Sequence, residues 1–132
     1  MAEGLSPYLV SGLLGTLRNV PFVAPTFCFQ LHLDDPGNEG MANLTDVLTL
    51  SAGTLAPPDP SGFTITTGTP PQWNMTSGLT VKWVSAWDGL SGAAGGANWL
   101  LNAKLVKPVV VANGDVLRMG GGFKLQILKV AA

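Results

Sequence analysis

His32 is the only histidine in the chain. A lone imidazole bars a metal centre built from several histidines and leaves one base for nucleophilic catalysis. No Gly-x-Ser-x-Gly run and no Cys-His pairing accompanies it, so the residue is expected at a surface rather than in a catalytic pair. Asp34, Asp35 and Glu39 lie within six positions of one another, close enough to gather around a hard cation with Asn38 and backbone carbonyls. Their spacing departs from the twelve-residue calcium loop, and Asp-Asp-Pro-Gly-Asn is a turn sequence in which aspartates cap backbone amides; the turn is the expected reading. Cys28 has no charged activator beside it and no second cysteine to pair with, which predicts a small buried hydrophobe. The glycine runs 92–96 and 120–122 lack the interval and the Ser/Thr of a phosphate loop, and read as tight β connections. Asn43-Leu44-Thr45 and Asn74-Met75-Thr76 match the glycosylation pattern without any secretion signal. No catalytic, cofactor-binding or metal-ligating residue is therefore expected, and no cofactor.

Four tryptophans remain. Trp83 and Trp87 share strand parity with Leu79, Val81 and Ser85, and that alternation predicts that both point into the core. Trp73 and Trp99 lie near turns and are expected to be exposed, where they could anchor a protein interface or stack on a sugar ring.

The elements that must position these residues follow from periodicity and turn chemistry. Ser6-Pro7 is an N-cap and first-turn pair, and Leu9, Val10, Leu13, Leu14 and Leu17 recur at three- and four-residue spacing, which predicts a helix over 7–17. Gly12 and Gly15 weaken it by ~1 kcal/mol each relative to Ala, so it must lean on a partner surface. From Thr26 to Leu33, Phe27, Phe29, Leu31 and Leu33 fall on one side and Thr26, Cys28, Gln30 and His32 on the other, predicting a strand with one polar face. Weaker strands are expected over 45–51, 63–67, near Trp73, over 79–87, at Trp99–Leu101, over 105–111, 115–119 and 123–130. Asn113-Gly114 is the strongest hairpin signal among them. Seven or eight short strands with regular turns predict a mainly β fold, a small antiparallel β-sandwich, jelly-roll-like or a flattened barrel, with one short N-terminal helix.

Composition sets the class. The chain has 132 residues, and the size relation for folded proteins buries roughly two-thirds of its extended surface, enough for one core. One β-sandwich domain over 1–132 is expected, with 1–25 as a helix and docking segment. Charged residues are 11% of the chain against about 25% in ordinary globular proteins, and the net charge is −1 with lysines and arginines scattered singly. That pattern excludes a phosphate-neutralising patch, hence nucleic acid as a partner. No run approaches the apolar length of a membrane-spanning helix, and the N-terminus lacks the pattern of a signal peptide, so no membrane partner and synthesis in the cytoplasm are expected. So few ions are a poor recipe for a freely dispersed monomer, and much of the surface is expected to meet protein.

The helix, the Pro-bounded lead into a strand ending Leu31-His32-Leu33-Asp34-Asp35-Pro36-Gly37, and the later runs Val84-Ser85-Ala86-Trp87-Asp88, Asn98-Trp99-Leu100-Leu101 and Lys107-Pro108-Val109-Val110-Val111-Ala112-Asn113-Gly114-Asp115 together cover most of the chain. In this combination the sequence resembles small tail-fibre-like or decoration-type virion structural proteins of tailed bacteriophages. The stretch 53–72 departs from that group, being richer in proline. The resemblance implies a non-enzymatic structural protein present in many copies in the virion and assembled in the host bacterial cytoplasm. The leading expectation is a capsid decoration (minor capsid) protein whose partners are copies of itself and the major capsid protein. The alternative is a tail fibre, baseplate or tail-tip component contacting other tail proteins, and a second alternative is a carbohydrate-binding module using Trp73 and Trp99. Expected contact segments are 5–17, 56–61 and 88–97, with Leu9, Leu13, Leu17, Trp73 and Trp99 as interface residues.

Overall fold

The structure is a computed structural model that describes residues 4–22, 27–46, 50–54, 69–90 and 96–119, together with the backbone of 64–66 and 124–126. Mainly antiparallel β structure with one short N-terminal helix is what it contains, as the alternating patterns predict. The strands are β1 (Gly4–Leu5), β2 (Phe27–His32), β3 (Ser51–Gly53), β4 (Thr64–Thr66), β5 (Gln72–Asn74), β6 (Leu79–Trp87), β7 (Trp99–Val111), β8 (Val116–Arg118) and β9 (Lys124–Gln126), and the helix is α1 (Pro7–Thr16). β1, β7, β6, β2 and β3 form a five-stranded sheet in that order, while β4–β9 and β5–β8 are two-stranded ribbons. Among the described residues no helix is long and apolar enough to cross a membrane.

One face of the large sheet carries the main core. Phe29 and Leu31 of β2, Val81, Val84 and Ala86 of β6 and Leu100 and Leu101 of β7 pack there with Leu9 of α1 and with Trp73 and Met75 from the β5 side. Leu117 and Met119 on and beside β8 close over the same cluster, so the β5–β8 ribbon forms a second, sandwich-like layer. Only burial of this apolar surface, at about 25 cal/mol per Å², is large enough to organise strands this short.

The Asn113-Gly114 turn forms with Gly114 at φ 92°, but it makes no hairpin between β7 and β8. After the turn β8 leaves the sheet and pairs with β5, where Leu117 and Met119 pack half-buried against the core. Gly114 N–H bonds Met75 O and Met75 N–H bonds Asp115 O, each at 2.8 Å, which fixes that departure. Residues 99–111, expected as two strands, are one strand of 13 residues. The expected strand over 45–51 is represented by β3 at 51–53, and positions 47–49 lie outside the described residues, as do 56–61 and 91–95.

The alternation on β6 is interrupted. Val81 sits opposite Val109 but Trp83 sits opposite Lys104, and between them runs Pro108, which has no N–H to give the ladder. Val81, Val84 and Ala86 consequently face the main core, whereas Trp83, Ser85 and Trp87 lie on the opposite face. The tryptophans are buried as the sequence predicts, but on the other side of the sheet from Val81. A second irregularity leaves Leu100 as an extra residue between Trp99 and Leu101, turning both leucines into the core.

Candidate functional site

The second face of the sheet holds the groups that sequence reasoning singled out for chemistry. His32 lies on β2, a central strand flanked by β6 and β3, and its side chain is 0% exposed. This corrects the expectation of a surface histidine. A strand with one polar side normally shows that side to water, but here the segment 33–46 folds back across it. Leu33 N–H donates to Asn43 O at 2.7 Å, and an isolated bridge joins His32 to Leu44.

The imidazole is held at both nitrogens. Nδ1 is 2.8 Å from Ala42 O and Nε2 is 2.7 Å from Ser85 Oγ. A carbonyl can only accept, so Nδ1 carries the hydrogen and neutral His32 accepts at Nε2 from the Ser85 hydroxyl. Trp87 Nε1, a donor only, gives its hydrogen to Ser85 Oγ at 2.9 Å. The result is a one-way chain from the Trp87 indole through Ser85 and His32 to the backbone of the overlying segment. Burial pushes the His32 pKa below the usual 6.5, and the bond to Ala42 O works against that shift without cancelling it. The ring is thus held neutral.

A second anchor ties the same segment down. Asn102 Oδ1 accepts Trp99 Nε1–H at 2.9 Å, and Asn102 Nδ2–H donates to Gly37 O at 2.8 Å. Gly40, at φ 70°, lies flat against the Trp99 indole; a Cβ there would fall 2.6 Å from the ring. Within the segment Asp34 Oδ1 accepts from Asp35 N–H at 2.8 Å and Asp35 Oδ1 accepts from Gly37 N–H at 2.9 Å. Asp35 thereby makes an Asx turn and Asp34 caps the amide next to it, as the turn sequence predicts. Among the described residues no three His, Cys, Asp or Glu side chains gather as metal ligands. Cys28 is fully buried beside Leu50 and Trp87, as expected.

Comparison of the chain with models of known protein families and with curated protein sequences finds no match. Chemistry must be read from geometry. Ser85 and His32 form a hydroxyl–imidazole pair at the distance a nucleophile and its base require, and sequence spacing gave no hint of it because 53 residues separate them. The available signal was a polar residue, Ser85, inside the apolar run Val84–Trp87, and Asn102 directly after Leu100-Leu101. Both Ser85 and His32 are 0% exposed, so no substrate carbonyl reaches the hydroxyl while the segment 33–46 is closed. A recess of about 190 Å³ on the other face, beneath Arg118 and Met119, is lined by Leu31, Val81, Val84, Leu105, Val109 and Leu117. Arg118 there bonds Gln72 Oε1 through Nη2 at 3.0 Å, so its charge is turned to a strand partner.

The expected interface residues separate sharply. Trp73 is 3% exposed and Leu9 is 6% exposed, both in the main core, which corrects their placement at an interface: a side chain packed in its own core offers nothing to a partner. Trp73 turns inward because its strand, β5, has to close over the sheet. Trp99 is half-buried with its indole nitrogen bound, so Trp73 and Trp99 form no shared exposed platform for a sugar. Leu13 and Leu17 are exposed.

Their exposure follows from how α1 is seated. Ser6 caps the helix, its Oγ accepting from Leu9 N–H at 3.1 Å and donating to Trp99 O at 2.7 Å, while Ser6 N–H donates to Leu100 O at 2.7 Å. These three bonds fix the rotation of α1 on β7. Leu9 is directed inward and the Phe22 ring lies against Gly12, with Tyr8 edge-on to Phe22 at 5.7 Å. Val10, Leu13, Leu14 and Leu17, spaced i, i+3, i+4 and i+7, form a stripe alongside that of Leu9 and are 39%, 41%, 59% and 82% exposed. Asn19, at φ 62°, ends the helix immediately beyond them.

Proposed function

We propose that this protein is a structural component of a bacteriophage virion, a capsid decoration protein that docks on the outer shell in multiple copies through α1. One observation carries the reading: the helix has a regular apolar stripe, and the stripe faces water. Amphipathic helices turn such stripes onto a core, and an exposed contiguous one marks a surface meant for another protein. α1 contains no charged residue, so a complementary surface is itself apolar, in keeping with a chain that is only 11% charged. The sealed Ser85–His32 pair supports the same reading, since a hydroxyl that both accepts from an indole and lies beneath a closed segment is a strut rather than a nucleophile.

Burying Leu14 and Leu17 from their present exposure is worth about 2–4 kcal/mol, so replacing both with Gln weakens docking by roughly thirtyfold or more. The test is co-sedimentation of the purified protein with capsids stripped of decoration, followed by heating of the particles. Wild type is expected to bind, to resist removal by 0.5 M salt (a Debye length of roughly 4 Å) and to raise the temperature of capsid rupture. Leu14→Gln/Leu17→Gln is expected to keep its circular dichroism and lose binding. Equal binding by that variant, or labelling over the tail rather than the head in electron micrographs, refutes the proposal.

A further inference from the structure

The segment 33–46 is a thin cover. Ala42 is exposed while His32 directly beneath it is fully buried, so a single layer of backbone separates the imidazole from solvent. From the sheet, two side chains reach up to hold this cover, His32 to Ala42 O and Asn102 to Gly37 O. We propose that 33–46 is an acid-released lid, locked while the Trp87–Ser85–His32–Ala42 chain is intact and lifted when His32 takes a proton.

The chain runs in one direction only. Neutral His32 accepts from Ser85, and Ser85 accepts from Trp87. Protonation puts a hydrogen on Nε2 that points at the hydrogen already on Ser85 Oγ. Ser85 then faces two donors, Trp87 Nε1–H and His32 Nε2–H, and must swing its own hydrogen away. The bond to Ala42 O survives and even gains from the charge, which favours closure. Desolvation of the cation opposes it and is the larger effect. Lifting the lid breaks its backbone bonds, Leu33 N–H to Asn43 O and Thr45 N–H to Leu31 O, and brings water to the ring while the β2–β6 ladder stays paired.

Among the described residues, the groups around the ring give the imidazolium no anionic partner that would keep it buried. From β6 it meets Ser85 and its cross-strand partner Trp83, and from the lid Ala42 and Leu44. The lid's carboxylates Asp34 and Asp35 are turned to their own backbone, Glu39 is exposed, Asp46 bonds Ser77, and Lys104 of β7 is exposed opposite Trp83. Neither influence on the ring's titration is a charged neighbour. The signs follow: the open lid, where the ring titrates near 6.5, binds the proton more readily than the closed one. Closure is therefore fully favoured above about pH 6.5 and is lost as the pH falls from there through the lower value of the closed state. An open lid also bares Ser85 only when His32 can no longer accept its proton, so release does not create a catalytic pair.

Amide hydrogen exchange of the full chain tests the lid, with rates corrected for intrinsic pH dependence, at pH 7.5 and 5.0. Opening of 33–46 is expected to rise between three- and about thirtyfold, the upper limit for one group with an open-state value of 6.5. The amides of β6 and β7 should keep their protection. NMR titration of the single histidine is expected to share its midpoint with the opening, and His32→Gln is expected to abolish the pH dependence. A rise below threefold, loss of protection spread evenly over the sheet, or a His32 midpoint separate from the opening overturns the proposal; the last measurement needs only the wild-type chain.

Discussion

Replacing Gly40 with Ala probes the cover directly, and the structure supplies both the cost and its control. Gly40 has φ 70°, where an L-residue pays about 1–2 kcal/mol. Its ideal Cβ would lie 2.6 Å from Trp99 Cδ1 and 2.7 Å from Nε1, against ordinary contacts of 3.4–4 Å. The indole must move, and it is held by the bond to Asn102 Oδ1 and by its place on β7, so the forced repacking adds about 1–3 kcal/mol. The expected total is about 2–5 kcal/mol. Gly114 has φ 92° and nothing within 4 Å of the point a Cβ would occupy, so Gly114→Ala should cost only the conformational ~1–2 kcal/mol. Urea unfolding of both variants, followed by tryptophan fluorescence and far-ultraviolet dichroism, measures the difference. Gly40→Ala should be the less stable by about 1–3 kcal/mol at an unchanged m-value. A difference under about 0.5 kcal/mol, the scatter of neutral surface changes, would show that the segment does not press on Trp99.

Two other comparisons follow from burial and pairing. Trp73→Ala should cost about 3–5 kcal/mol in urea unfolding, whereas Leu17→Ala, at 82% exposure, should stay within about 0.5 kcal/mol; similar values for both would contradict the division between core and exposed stripe. Ser85→Ala removes the partner of both His32 Nε2 and the Trp87 indole, two buried groups at about 1–3 kcal/mol each, so a loss of about 2–6 kcal/mol is expected and one under 1 kcal/mol would dissolve the chain of bonds as drawn.

What could be read from sequence was what local chemistry determines. The Ser6-Pro7 start of α1, the alternation of β2, the Asx turn after it and the Asn113-Gly114 turn all appear where residue types place them. What could not be read was which surfaces close on one another. Alternation on β2 specifies two faces but is silent on whether the second is wet, and only the return of residues 43–45 to Leu31 and Leu33 buries His32. Parity on β6 gave Trp83 and Trp87 the face of Val81; the ladder break opposite Pro108 moved them to the other. Asn113-Gly114 announced a turn, while the choice of β5 over β7 as the partner of β8 was made by Leu117 and Met119 seeking the core. In each case a tertiary contact overrode a correct local reading.

Local pattern and burial meet in α1. In β2 and β6 the faces that local pattern misplaced are still buried within the fold, so the sequence there is accounted for by folding alone, and even the hydroxyl–imidazole pair finds a structural role. In α1 they disagree: the spacing of Val10, Leu13, Leu14 and Leu17 is that of a stripe made for burial, yet Ser6 and Leu9 fix the helix with that stripe outward. Rotation of the helix to bury it would break the Ser6 bonds to Trp99 O and Leu100 O and expose Leu9, so the outward setting is held in place by the fold. Natural sequences are locally consistent except where something other than stability shapes them. A helix without charge, pinned in the orientation that leaves Leu13, Leu14 and Leu17 in water, is the feature on which the proposed docking rests, and it is there that substitutions should separate assembly from folding.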